Sequence, residues 1–209
     1  ETIGSANVVV IRNGVLKGYN TDGFGFVQAF RDERREALDS LSFLILGAGG
    51  ASRAISTTLA SEGAHELIII DQYDDASESL ARSINSRVRD CARPVPFKEA
   101  PMGDLLEQAD VLVNATGIGM PPAVERTPVE KNLLPSDLFV VDITYNPLRT
   151  QLLLDAEERG CPIMNGITMA INQAIKGFAL MTGEPEPTEI MTRVTREIVA
   201  AQQANQRAV

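Results

Sequence analysis

The sequence predicts an α/β protein built on a doubly wound parallel sheet, with helices covering both faces. Strand-length apolar segments alternate with amphipathic helix-length segments from Ser42 to Met164, and this alternation is typical of a parallel sheet. The predicted strands, such as 67–70 and 138–141, are apolar at every position, as expected when both faces of a sheet are covered. A glycine-rich segment, 47–50, joins the first of these strands directly to a helix.

The elements follow from turn residues and hydrophobic periodicity. Asn13-Gly14 lies between two apolar runs and predicts a β-hairpin over 8–11 and 15–19, because Asn-Gly favours the positive φ of a tight turn. Apolar residues at helical spacing predict a helix over 24–38. The core strands are predicted at 42–46, 66–70, 94–97, 111–114, 138–142 and 162–164, with helices at 50–61, 76–88, 103–108 and 149–158. Two further amphipathic helices, 169–181 and 187–203, are separated by Gly and Pro residues that stop one and start the other.

Composition and charge narrow the class of function. The 209 residues carry a formal charge of −9 without a Lys/Arg cluster, so no nucleic-acid partner is expected. The longest apolar runs fall far short of the ~20 residues of a membrane span, so no membrane partner is expected either. One histidine and two separated cysteines, Cys91 and Cys161, leave no metal site of normal ligand count. Both thiols are expected to be buried in a reducing compartment, which favours a cytoplasmic protein with a small-molecule substrate.

The glycine-rich segment has the features of a dinucleotide-binding loop. Unpaired N–H groups and the macrodipole at a helix N-terminus attract an anion, and glycines let a phosphate approach the backbone. We expect the small side chain of Ser52 to allow a tight contact between helix and strand, as in Rossmann-like domains. The predicted pyrophosphate-binding residues are Gly47, Ala48, Gly49, Gly50 and Ala51. A plain strand-to-helix connection is the alternative.

Asp71 ends the second core strand, 22 residues beyond Gly49. An acid near this offset hydrogen-bonds the adenosine ribose in dinucleotide-binding proteins. Residues 72–75 include two further aspartates and no Arg or Lys, so we expect NAD in preference to NADP, in an alcohol dehydrogenase. The alternative for Asp71 is a solvated strand end that caps the next helix; for Asp74 and Asp75 a capping role is favoured.

A second small-residue turn, 115–120, follows the strand 111–114. Ligands of open α/β sheets lie beyond the carboxyl ends of the strands, so Ala115, Thr116 and Gly117 are expected to border the nicotinamide ribose. A tight connection without a ligand remains open.

Together with other short motifs, these segments resemble the shikimate/quinate dehydrogenase family over nearly the whole chain. Six motifs occur in the family's order and are jointly specific. They are Ile3-Gly4-Ser5-Ala6-Asn7, Gly18-Tyr19-Asn20-Thr21-Asp22-Gly23, the loop from Gly47 to Arg53, Asn114 to Met120, Asp142-Ile143-Thr144-Tyr145-Asn146-Pro147, and Asn165-Gly166 through Met169 to Gln173-Ala174.

The resemblance implies an NAD(P)-dependent oxidoreductase that interconverts shikimate with 3-dehydroshikimate, quinate with 3-dehydroquinate, or both. Asp22 matches the family's catalytic aspartate, which works beside a lysine at the alcohol that loses its proton. Asn7, Tyr145 and Gln173 match substrate contacts. Gly166 and Met169 match residues around the nicotinamide. Without the resemblance, Asn20 to Gly23 is typical of a turn and helix cap, and Gln173 and Tyr145 would pass as ordinary surface residues.

The resemblance also implies a domain division. Residues 1–22 would be the C-terminal remnant of a substrate domain, 23–185 the dinucleotide-binding domain, and 186–209 a helix that packs back toward the substrate domain. The chain opens at Glu1 without an initiator Met, and we expect a fragment that lacks the catalytic lysine and is inactive alone. The oligomeric state is open, a homodimer included.

Two other functions remain open. An S-adenosylmethionine methyltransferase also uses a glycine loop and an acid at the end of the next strand, but would not need Asp22 or Gln173. A sensor derived from a dehydrogenase would keep the ligand pocket without turnover.

Overall fold

A six-stranded parallel sheet forms the centre of the fold. The structure is a computed structural model that describes residues 2–207, with side chains described for residues 2–201. The strands are β1 (Val8–Arg12), β2 (Val15–Tyr19), β3 (Ser42–Leu46), β4 (Glu66–Ile70), β5 (Ala92–Pro94), β6 (Val111–Asn114), β7 (Phe139–Asp142) and β8 (Ile163–Asn165). The helices are α1 (Asp22–Glu33), α2 (Gly50–Ser61), α3 (Asp74–Arg87), α4 (Met102–Gln108), α5 (Gln151–Glu158), α6 (Ile167–Thr182) and α7 (Thr188–Arg207).

The strand order β5–β4–β3–β6–β7–β8 confirms the predicted doubly wound sheet. Successive residues of a strand point to opposite faces, and in β3 the alternation separates two hydrophobic cores. Phe43 and Ile45 pack with residues of α1, α2 and α3, whereas Leu44 and Leu46 pack with residues of α4 and α5. The apolar strands therefore reflect burial on both faces, as the sequence predicted.

The predicted hairpin is a separate two-stranded sheet, β1–β2. Val8 and Val10 are buried, and a Cβ added at Gly177 of α6 would lie 3.2 Å from Val8. The hairpin therefore rests on α6 through alternate residues of β1. Val9 and Ile11, on its other face, are exposed.

The predicted bounds of α1 and β5 are wrong, and α7 ends at Arg207, four residues beyond the predicted position 203. Helix α1 ends at Glu33 and not near residue 38, because Arg34 is extended and the chain turns so that Leu38 and Leu41 enter the core. Strand β5 covers 92–94 and not 94–97, because a short 3₁₀ turn, Phe97–Glu99, follows it. Proline, which cannot donate to a ladder, occupies positions 94 and 96.

The predictions on the cysteines, on membrane spans and on the domain division have different outcomes. Cys161 is buried as expected, but Cys91 is only half-buried. No helix in the range 2–207 is long and apolar enough to cross a membrane. The division at residues 22 and 185 stays a prediction, as does the cytoplasmic location. Residue 1 and residues 208–209 of the predicted outer segments lie outside the described residues.

Candidate active site

The predicted cofactor-binding residues gather at the carboxyl edge of the parallel sheet. The glycine loop follows β3, Asp71 follows β4, Ala115 to Gly117 follow β6, and Gly166 follows β8. A Cβ added at Gly47 would lie 2.8 Å from the carbonyl oxygen of Ala115, so the loops after β3 and β6 are in contact. The topology thus places these separate motifs along one edge, where ligands of open α/β sheets lie.

The glycine loop has the geometry that a pyrophosphate needs. Gly47 has a φ of +101°, a left-handed conformation that L side chains rarely adopt. A Cβ at Gly49 would meet nothing within 4 Å, so the approach to the backbone is open. Gly49 is the N-cap of α2 and supplies no capping side chain, which leaves the amides of the first helical turn for an anion. Ser52 is fully buried, and its hydroxyl donates to the Gly47 carbonyl at 2.5 Å, so the small side chain lies where α2 meets the end of β3.

Asp71 holds the glycine loop through its own carboxylate. One oxygen, Oδ2, accepts the backbone N–H of Ala48 at 2.7 Å, and Oδ1 accepts that of Tyr73 at 2.9 Å. Asp74 accepts the backbone N–H of Phe97 at 2.8 Å. Two of the three acids that were expected to repel a ribose phosphate therefore serve as acceptors for the protein's own backbone.

A buried polar network supports the turn after β6. Asn114 and Asp142 are both fully buried, and the Asn114 Nδ2 group donates to Asp142 Oδ2 at 3.0 Å. The Thr150 hydroxyl donates to the same oxygen at 2.8 Å, and the Thr144 backbone N–H donates to Asp142 Oδ1 at 2.9 Å. Thr116, predicted to border the ribose, donates from its hydroxyl to Asn114 Oδ1 at 2.7 Å. Sequence reasoning missed this network, although polar residues ending two apolar strands were its signal.

Two glycines place Asp22 between the cofactor-binding helix and α6. A Cβ at Gly23 would lie 2.0 Å from the Thr58 hydroxyl and 2.5 Å from the Ala54 carbonyl oxygen, both on α2. A Cβ at Gly25 would lie 2.6 Å from the carbonyl oxygen of Met169 on α6. Helix α1 therefore approaches both neighbours at backbone distance, and Asp22 begins it at this crossing.

Asp22 belongs to a polar cluster with three other side chains. Asn7 Nδ2 lies 2.8 Å from Asp22 Oδ1, 3.0 Å from Thr21 Oγ1 and 3.2 Å from Gln173 Oε1. An amide nitrogen has two hydrogens, so these three acceptors share two donors. A ligand hydroxyl can therefore enter the cluster by exchanging partners. The structure brings together Asn7, Asp22 and Gln173, which lie far apart in the sequence.

Burial governs the acidity of Asp22. Removal from water raises the pKa of this carboxyl above its ordinary value, and the Asn7 hydrogen bond lowers it by a smaller amount. A carboxyl whose pKa moves toward neutral is a stronger base when ionised. Among residues 2–201, whose side chains the structure describes, none donates a hydrogen bond to its second oxygen, Oδ2, so this oxygen is available to a substrate proton.

The side chains of the remaining predicted residues make no hydrogen bond to this cluster within residues 2–201. Tyr145 is 57% exposed on the loop after β7. Gly166 is the N-cap of α6, and its backbone N–H donates to the Thr144 carbonyl at 3.0 Å. The side chain of Met169 is buried in the core that includes α1. The predicted ligand contacts of all three residues stay predictions.

Two polar residues that received no predicted role lie next to the cluster. The Ser5 hydroxyl donates to the Gly50 carbonyl, and Asn20 donates to Ser5 while accepting the backbone N–H of Asp22. Both residues lie in motifs that supported the resemblance, but nothing in the sequence showed that they meet the glycine loop. No group of three or more potential metal ligands occurs in the described part of the chain.

Comparisons with known proteins agree on one family. A family model described as shikimate / quinate 5-dehydrogenase matches residues 31–148. The shikimate dehydrogenase (NADP(+)) of Methanopyrus kandleri is 39% identical over 198 residues, covering 94% of this chain and 68% of that protein. The shikimate 5-dehydrogenase of Listeria monocytogenes, solved with shikimate and NAD, matches with a TM-score of 0.82 at 32% identity. The match covers 92% of this chain and 68% of the Listeria chain. A shikimate dehydrogenase solved with NADP+ has a TM-score of 0.82 at 31% identity, with coverages of 95% and 68%.

The fold, the glycine loop and the polar cluster around Asp22 define the class as a Rossmann-type, dinucleotide-binding oxidoreductase. The chain belongs to the shikimate/quinate dehydrogenase family, as its motifs indicated.

The prediction of NAD in preference to NADP is wrong. Relatives from Methanopyrus kandleri, Alkaliphilus metalliredigens and Desulforamulus reducens, at 37% to 39% identity, are all named shikimate dehydrogenase (NADP(+)), and one of the solved neighbours holds NADP+. The physical reason lies in the acids after β4. The prediction treated Asp71 and Asp74 as charges facing the ribose, whereas their carboxylates accept backbone N–H groups of the protein itself.

Proposed function

We propose that this chain carries the NADP-binding site and the proton-accepting side of an enzyme that oxidises shikimate to 3-dehydroshikimate and catalyses the reverse reduction. The observation that carries it is the Asn7–Asp22–Gln173 cluster at the crossing of α1 with α2, beside the glycine loop. The names and bound ligands of the relatives support the choice of substrate and cofactor.

The roles of the residues follow from their chemistry. Bound NADP+ would supply the acceptor for the hydride from the carbon that bears the alcohol. The first turn of α2 would hold the pyrophosphate, and the open space at Gly49 would leave room for it. Asp22 Oδ2 takes the hydroxyl proton as the hydride leaves, and Asn7 keeps the carboxylate oriented through Oδ1. Gln173 and Asn7 exchange hydrogen bonds with the hydroxyl groups of the ring.

Initial rates of NADPH formation test the proposal. We expect shikimate-dependent reduction of NADP+, with quinate as the comparison substrate. Asp22→Asn keeps the size and one acceptor of the side chain but removes the base, so its rate should fall by about 10²- to 10⁴-fold while NADP+ binding persists. Asp32→Asn, an exposed acid on the same helix, is the control and should retain activity.

The competing functions give different results in the same experiments. Binding of NADP+ and shikimate without turnover would favour the sensor and contradict the proposal. Binding of S-adenosylmethionine in place of NADP+ would favour the methyltransferase. Turnover that is unchanged in Asp22→Asn would remove Asp22 from the mechanism.

A further inference from the structure

Three hydrogen bonds connect the glycine loop to the start of α1. The Ser5 hydroxyl donates to the Gly50 carbonyl oxygen at 3.0 Å. Asn20 Nδ2 donates to the Ser5 hydroxyl oxygen at 2.9 Å, and Asn20 Oδ1 accepts the backbone N–H of Asp22 at 2.9 Å. The series therefore begins on the first residue of α2 and ends on the proposed proton acceptor.

The chemistry of these groups allows one arrangement of donors. A serine hydroxyl has one hydrogen, which Ser5 gives to Gly50, so its oxygen is left to accept from Asn20. If the Asn20 amide were inverted, its Nδ2 group would face the N–H of Asp22, donor against donor. The observed orientation of the Asn20 amide satisfies all three hydrogen bonds and holds this side chain between the Ser5 hydroxyl and the Asp22 backbone N–H.

The loop end of the series shares a peptide unit with the phosphate site. The Gly50 carbonyl and the Ala51 N–H belong to one planar peptide group. A phosphate that accepts the Ala51 N–H therefore orients and polarises the same group that Ser5 holds by its oxygen. Ser5 and Asn20 are half-buried, and a Cβ at Gly50 would lie 3.8 Å from the Ser5 Cβ. The contact between Ser5 and the loop is therefore carried by a hydrogen bond at the surface of the fold.

We propose that Ser5 and Asn20 are positioning residues that transmit occupancy of the glycine loop to Asp22. Phosphate binding fixes the Gly50–Ala51 peptide, and Ser5 and Asn20 then restrain the Asp22 backbone. Neither residue touches the reacting atoms. The inference rests on the proposed function in one respect, namely that the ligand of the loop is NADP(H). Its consequence is that cofactor binding prepares Asp22 for the substrate.

Hydrogen exchange of the segment 19–26, measured with and without NADP+, tests the proposal without requiring substrate. In the wild type, saturating NADP+ should slow exchange of the Asp22 amide by about fivefold or more, the scale of a coupling of about 1 kcal/mol. In Ser5→Ala, NADP+ should still bind, but this added protection should be lost. Ser5→Thr keeps the hydroxyl and should restore it. Ser40→Ala removes a serine hydroxyl that donates to the Ala37 carbonyl and should behave as the wild type.

Kinetics give a second readout that a merely structural role would not produce. Ser5→Ala should raise the KM for shikimate at saturating NADP+ by about fivefold. The pH profile of kcat should keep its midpoint, because Asp22 retains its Asn7 hydrogen bond and its burial.

The two proposals fail differently. If NADP+ binds but protects the segment 19–26 equally in the wild type and Ser5→Ala, or in neither, the transmission is refuted and the proposed function stands. If NADP+ does not bind the protein at all, both proposals are refuted.

Discussion

Asp22 combines two opposed requirements at the scale of a single residue. Its ionised form is needed to accept a proton, yet its surroundings penalise that form and raise the pKa of the carboxyl. The Asn7 hydrogen bond offsets part of this penalty. The raised pKa makes the Asp22 carboxylate a stronger base, but the ionised form lowers the stability of the folded protein. The pH dependence of protein stability therefore reports on the environment of Asp22.

The effect of Asp22 on stability should depend on pH in one direction. Because the pKa of Asp22 is raised on folding, the stability that this carboxyl contributes is fully present below its unfolded pKa and is lost as pH rises through the folded pKa. Asp22→Asn removes that loss. Its melting temperature relative to the wild type should therefore rise from acidic to neutral pH, as followed by thermal unfolding at several pH values. A difference that is constant with pH, or equal to that of Asp32→Asn, would contradict a raised pKa at Asp22.

Asp142 should matter to stability more than any exposed acid. Asp142→Ala leaves the Asn114 amide, the Thr150 hydroxyl and the Thr144 N–H without their acceptor in a dry interior. Each orphaned buried donor costs about 1–3 kcal/mol, so urea unfolding should show a loss of roughly 3 kcal/mol or more. Asp137→Ala, at an exposed position, should change stability by less than about 0.5 kcal/mol. Equal effects of the two variants would count against the network.

Individual site residues were predictable to different degrees. The glycine loop could be predicted as a phosphate site from its own sequence, because glycines at a helix N-terminus leave amides open to an anion, although a plain connection gives the same pattern. Asp22 and Gln173 needed the resemblance, since nothing local shows that residues 151 positions apart share a cluster. Asp71 misled the cofactor prediction because the sequence could not reveal that its oxygens face the loop backbone.

At the scale of elements, the close crossings of α1 with α2 and α6 determine where Asp22 lies. Gly23 and Gly25 let the helix approach α2 and α6 at distances that no Cβ would permit. Asp22 consequently lies near both the cofactor loop and Gln173, and its position depends on helix packing and not on a flexible loop.

Two glycine substitutions should have opposite effects on stability. Gly23→Ala places a methyl group against the Ala54 carbonyl and Thr58, so overpacking should lower the free energy of unfolding by about 1–3 kcal/mol and reduce turnover by displacing Asp22. Gly103→Ala, in α4, meets only an ordinary contact at 3.8 Å and should raise stability by up to about 1 kcal/mol. Denaturant unfolding and initial rates would measure both effects. A Gly23→Ala variant as stable as the wild type would contradict the close crossing.

Most elements followed from periodicity, and the exceptions have physical causes. Strands β3, β4 and β6 have the predicted bounds because their apolar runs are closed by turn residues. The end of α1 did not follow, since Arg34 to Ala37 have no local signal for stopping a helix, and the need to bury Leu38 and Leu41 is a tertiary effect. Strand β5 is short and at the edge, where the pattern is weakest.

At the scale of the whole molecule, the parallel sheet explains why a site can be assembled from distant motifs. The parallel strands all end at one edge, and helices on both faces hold that edge in place through two separate cores. The segment before the hairpin β1–β2 then brings Asn7 and Ser5 over the same edge from the start of the chain. The polar cluster around Asp22 and the glycine loop therefore lie at the same edge of the sheet.

The crystal structure of the protein, as the organism makes it, with NADP+ and shikimate bound would test this central claim most directly. We expect pyrophosphate oxygens to accept the amides of the first turn of α2. We also expect a ring hydroxyl of shikimate to lie within about 3.2 Å of Asp22 Oδ2, the reach of a general base. Shikimate bound away from Asp22, or NADP+ bound away from the glycine loop, would contradict the claim.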